Sequence, residues 1–91
     1  MEVKRNQLET ALSGKLGAIP DFSKHRNFKV YVEGRFVGKP SIGHSWRKLD
    51  QRLLRRVAAQ IHLSEHELYD VVQCIKDGEW YREHLRSMDK L

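Results

Sequence analysis

Cysteine is almost missing from this chain of 91 residues. Its single thiol, Cys74, cannot close an internal disulfide and reads as a small buried or half-buried group in a reducing compartment. No apolar run approaches the ~20 residues that a membrane span needs, and residues 1–6 lack the apolar core of a secretory signal. A cytoplasmic chain without membrane contact is therefore expected. Glycine-rich phosphate loops, nucleophile elbows, repeats, linkers and low-complexity stretches are also missing. His62 and His66 stand four apart, but a helix-capping box falls between them, so they do not share one helix as a metal pair would. Neither a metal nor any other cofactor is expected.

Acidic residues are scarce in the middle of the chain. Residues 22–56 hold ten Lys or Arg against two acids, a surplus of eight within a total charge of +5. Residues 57–91 run the other way, with four bases and seven acids, and residues 1–21 balance at three of each. A basic centre suggests one face that attracts a polyanion; the plain alternative is an ordinary solvated cationic surface.

Hydrophobic residues make up 40% of the chain and aromatics 9%, enough for one globular domain with a modest core. Val3, Leu8, Leu12 and Leu16 predict a helix over 2–16, with Gly17 as a left-handed cap. A short edge strand is expected over 18–23. The clearest strand covers 28–33, where Phe28, Val30 and Val32 alternate with Lys29, Tyr31 and Glu33. Gly34-Arg35 fits a two-residue hairpin turn, and 36–42 returns antiparallel with Pro40 at an edge or bulge. Leu49, Leu53, Val57 and Ile61 then recur every four residues, widened by Leu54 and Ala58. This pattern predicts a long amphipathic helix over 47–63 with Ser45 as its cap. Its other face carries Lys48, Arg52, Arg55 and Arg56, and Asp50 is its only acid. Ser64 to Glu67 forms a capping box, with Leu63 and Leu68 as its hydrophobic staple. Leu68, Val71, Val72 and Ile75 continue that helix until Asp77-Gly78 stops it, and a last helix runs from 79 to about 88.

This order of elements matches the α-β-β-β-α layout of double-stranded-RNA-binding domains. The expected fold class is α+β of that kind, with 1–63 as its core and 64–91 as an added C-terminal helical extension of the same single domain. Within that layout the chain resembles the HicA (YcfA-like) toxins of bacterial toxin–antitoxin pairs. Ser23-Lys24-His25-Arg26-Asn27-Phe28 stands where that family carries a Gly, a hydroxyl residue, His, two variable residues and an aromatic, although Ser23 and Lys24 differ from the first two. Ile42-Gly43-His44 stands where the family's last strand ends near a His. The stretch 48–61 with Leu63-Ser64 looks like its basic second helix and exit.

The resemblance implies a metal-independent endoribonuclease acting on mRNA, neutralised by a cognate antitoxin protein. His25 would be the general base. RNA carries its own nucleophile, the 2′-hydroxyl, so a His near neutrality and a cation on the phosphate suffice. Lys24, Arg26, Lys29, Lys48, Arg52, Arg55 and Arg56 are the candidate RNA-binding residues. His44 is the candidate second proton-transfer group, though it reads more readily as a polar residue in a turn before the helix. Trp46 and Tyr31 could stack on bases or simply fill the core. His62, His66 and His84 look structural or solvated. The alternatives are a non-catalytic RNA- or DNA-binding module of the same fold, and a protein-interaction domain that uses the basic face.

Overall fold

The computed structural model describes residues 2–21, 26–43 and 45–91, with Arg26 described by its backbone alone. Among these residues the chain is a small α+β fold of four helices and antiparallel sheets. Its elements run β1 (Val3–Lys4), α1 (Arg5–Gly14), β2 (Ile19–Asp21), β3 (Arg26–Val32), β4 (Arg35–Gly38), β5 (Ser41–Ile42), β6 (Lys48–Leu49), α2 (Gln51–Ala59), α3 (Glu65–Val72) and α4 (Gly78–Ser87).

The central strand is β3, paired along both edges, and its alternation gives it one buried face. Phe28, Val30 and Val32 are buried toward the helices, and Tyr31 is 40% exposed on the opposite face. β2 pairs with one side of β3, while β4 and β5 pair with the other. β4 and β5 are one returning strand interrupted at Pro40. Phe28 N–H donates to the Pro40 carbonyl at 3.0 Å, but proline has no N–H to return, so that rung is half made. The register also slips between Val30 and Tyr31, which marks a bulge in the same strand. The hairpin turns at Glu33-Gly34 rather than at Gly34-Arg35. Val32 pairs with Arg35, and both turn residues have positive φ, 52° and 79°, as the tight primed turn demands.

The first helix is shorter than its apolar pattern predicts. Val3 is buried, but in a strand: β1 pairs with β6, matching Val3 to Leu49 and Lys4 to Lys48. This pairing also shortens the basic helix. Residues 48–49 are extended, and Asp50, not Ser45, caps α2, its Oδ1 accepting the Leu53 N–H at 3.0 Å. At the other end α2 stops at Ala59, and His62 takes a left-handed φ of 63°. Most of the stripe is buried even so: Leu49, Leu54, Val57, Ala58 and Ile61 are all at most 1% exposed, while Leu53 is only half-buried.

The capping box at Ser64 forms, with Glu67 N–H donating to Ser64 Oγ and Ser64 N–H to Glu67 Oε1. Two expectations nearby fail. Ile75 is 68% exposed because α3 ends at Val72, with Cys74 in a left-handed turn at φ 65°. Asp77-Gly78 starts α4 rather than stopping α3, since Asp77 Oδ1 accepts the Trp80 N–H at 2.9 Å. A third expectation fails as well: Cys74 is exposed rather than buried or half-buried, because it lies in the turn after α3, and it accepts a hydrogen bond from Lys15 Nζ at 2.9 Å. Tyr81 and Leu85 of α4 join Leu8 and Leu12 of α1, Phe28 and Val30 of β3, and Leu54 of α2 in one apolar cluster. No helix of the described residues is long and apolar enough to cross a membrane.

Candidate nucleic-acid interface

The basic surface is assembled from two places that lie far apart in the chain. β1–β6 pairing sets Lys4 directly opposite Lys48, both exposed. Like charges across a strand pair are destabilising. Glu2 offsets part of this, with its carboxylate 3.5 Å from Lys48 Nζ and both side chains more than half exposed. Beside the pair, Lys4, Arg5, Asn6 and Arg47 line a cleft of about 270 Å³. Arg5 N–H donates to the Arg47 carbonyl at 3.0 Å and fixes the two segments together.

α2 supplies the rest. Leu54, Val57 and Ala58 take its buried side, leaving Arg52, Arg55 and Arg56 exposed. These three arginines are not equivalent. Arg55 is clamped by Glu65 of α3, Nε to Oε2 at 2.6 Å and Nη2 to Oε1 at 3.1 Å, while Gln51 donates to the same carboxylate at 3.0 Å. The Arg55 hydrogen bond, helped by that of Gln51, lowers the Glu65 pKa to about 2. The carboxylate therefore stays ionised at neutral pH and offsets Arg55. Arg52 and Arg56 make no ion pair or side-chain hydrogen bond among the described residues. They sit one turn apart, about 6 Å along the axis. The helix N-terminus is not a spare anion site, because the Asp50 carboxylate already fills it.

Arg56 borders a second cleft of about 260 Å³ that lies between the end of β5 and α2 and includes Trp46. The indole lies over Gly43, so close that a Cβ there would fall 2.5 Å from Cε2. Trp46 N–H also donates to the Gly43 carbonyl at 3.1 Å. Trp46 lines one cleft and Arg47 the other, so the segment 46–48 runs between them.

Of the other candidates, Lys29 lies 3.4 Å from Asp21 across β2–β3, and Tyr31 packs edge-to-face on Phe36 at 5.5 Å on the exposed side of the sheet. His25, Lys24 and His44 lie outside the described residues, as does the side chain of Arg26. His66 is exposed. His84 stacks on Trp80 at 4.9 Å and approaches the His62 carbonyl at 2.8 Å, a structural arrangement. No group of three or more His, Cys, Asp or Glu gathers among the described residues. Lys4 and Arg47 are the cations that sequence reasoning passed over; their place depends on a two-residue strand pair that no periodicity announces. No family model, no curated protein and no solved structure matches this chain.

Proposed function

We propose that this chain is an RNA-binding domain laid out like a double-stranded-RNA-binding domain. Its phosphate-gripping surface combines Lys4, Arg47 and Lys48 with Arg52 and Arg56 of α2. The observation that carries this is the direct opposition of Lys4 and Lys48, set beside a cationic cleft and followed by a helix face with two arginines that have no side-chain partner among the described residues. A phosphate backbone relieves such like-charge contacts and releases its own counterions. Arg55 contributes less, because Glu65 already holds it.

Within this reading the chain acts as a HicA-like endoribonuclease. His25 takes the 2′-hydroxyl proton as the 2′-oxygen attacks the adjacent phosphorus and the bond from phosphorus to the 5′-oxygen of the next nucleotide breaks. His44 gives that leaving oxygen its proton, so the products are a 2′,3′-cyclic phosphate and a 5′-hydroxyl, while Lys24 or Arg26 steadies the phosphate charge. That step rests on the resemblance of 23–28, 42–44 and 48–64 to those toxins. An antitoxin covering the basic face would silence both binding and cleavage, and an mRNA target places the protein in the cytoplasm. The test is induced expression of wild type and His25→Ala, following growth and total RNA with a chelator present in the lysate assay. Loss of cleavage in His25→Ala with RNA affinity and melting temperature retained supports the enzyme. Equal cutting by both proteins removes His25 from the mechanism. RNA binding without cutting by either leaves a binding module.

A further inference from the structure

The cleft between β5 and α2 has the makings of a site for one flat ring. At about 260 Å³ it is smaller than the ~300–1,000 Å³ of drug-sized sites. Ile42 and Val57 give it an apolar floor, being 2% and 1% exposed, and Trp46 is only half-buried beside them. The indole packs directly against the bare backbone of Gly43, which also lines the cleft. Gln60 brings polar specificity. Its Oε1 accepts the Ser41 N–H at 3.2 Å, and only the oxygen can accept from a backbone donor. The amide NH₂ of Gln60 is thereby left as a pair of donors with no partner among the described residues. Arg56 stands at the same cleft, its guanidinium without a partner among the described residues.

We infer that this cleft binds one unpaired nucleobase of a single-stranded RNA segment, the base lying against Trp46 and presenting an acceptor edge to the Gln60 amide. Arg56 takes the adjoining phosphate. The inference rests on the RNA-binding reading above and adds to it the form of RNA that is held. Charge selects the ligand: a flat ring alone would suit many molecules, but a ring attached to phosphates suits a cleft that opens beside Arg56 and, through 46–48, the cleft of Lys4 and Arg47. An unpaired base is required because a duplex keeps its base faces stacked on one another, out of reach of a side chain.

Trp46 reports its own occupancy. In a Trp80→Phe background it is the single tryptophan, and the phenyl ring retains an aromatic surface against His84. Its fluorescence is titrated with a short single-stranded oligoribonucleotide, the same sequence as duplex, a strand of equal length without bases, and a ribonucleoside monophosphate. Binding of labelled RNA is followed in parallel by anisotropy. Saturable quenching by the single strand is expected, with binding but no quenching by the baseless strand and none by the duplex. Gln60→Ala in the otherwise native chain should weaken single-strand affinity several-fold and leave the baseless strand unaffected, and Trp46→Ala should cost roughly tenfold. Quenching by the duplex or the baseless strand to the same extent, or single-strand binding without quenching, overturns the base site and leaves the RNA-binding surface standing. Quenching by the monophosphate at the same concentrations as the strand makes the cleft a nucleotide site and overturns the strand assignment. If anisotropy detects no RNA binding at all, the underlying reading fails, and the base site with it.

Discussion

The three arginines of α2 provide a test that separates charge placed for a ligand from charge placed for the fold. Arg52 and Arg56 are exposed without partners among the described residues, whereas Arg55 is held by two hydrogen bonds to Glu65. Each phosphate contact contributes about 0.7 to the slope of log affinity against log salt on a single strand, and about 0.9 on a duplex. Removing both partnerless arginines should therefore flatten the slope by about 1.4 on single-stranded RNA. Over a fourfold rise in salt that difference is about sevenfold in affinity, well within reach of anisotropy titrations. The loss should not depend on sequence, since phosphate contacts position rather than specify. Arg55→Ala should leave the slope nearly unchanged. Its partner Glu65 is only 13% exposed at the side chain and cannot readily turn to water, so the variant loses stability instead. Because the Glu65 pKa is lowered to about 2, the pair's contribution is present above the ordinary carboxylate range and disappears only as pH falls through about 2. An Arg55→Ala slope as flat as that of Arg52→Ala would refute the division of roles. An unchanged slope in the Arg52→Ala/Arg56→Ala double variant would move the interface off α2 altogether.

Two further predictions concern the core. Burial raises the Tyr81 phenol above its ordinary value of about 10, and its hydroxyl donates to the Ile61 carbonyl at 2.8 Å. Above pH ~10 the unfolded chain has lost this proton while the folded chain keeps it, so Tyr81 should subtract about 1.4 kcal/mol of stability per pH unit. Tyr81→Phe should remove that alkaline slope in denaturant titrations and cost about 1 kcal/mol at neutral pH; matching alkaline profiles would contradict the buried phenol. Val57, 1% exposed on the inner side of α2, should not accept a carboxylate. Val57→Asp should cost several kcal/mol and abolish cooperative melting, and an unchanged melt would mean the faces of α2 are reversed.

Much of this architecture is written in local chemistry. The alternation from Phe28 to Val32 dictates a strand with one buried face, and the Ser64–Glu67 box dictates a helix start, because each signal lies within a few residues and owes little to distant contacts. The apolar stripe through Leu49, Leu53, Val57 and Ile61 dictates most of what is buried, although Leu53 stays half-buried and Leu54 beside it takes the inner position. It does not dictate the backbone that buries it. A four-residue recurrence looks the same whether its first member sits in a helix or in a strand end. Tertiary pairing with Val3 drew Leu49 into β6, moved the cap from Ser45 to Asp50 and cut α2 to nine residues. The same kind of distant contact sorted the charges. All three arginines of α2 read alike in the chain, but only the approach of α3 decides that Glu65 claims Arg55 and leaves Arg52 and Arg56 exposed. Lys4 joins Lys48 for the same reason: a pair of two-residue strands has no period to read and exists only because the fold brings the segments that lead into α1 and α2 side by side.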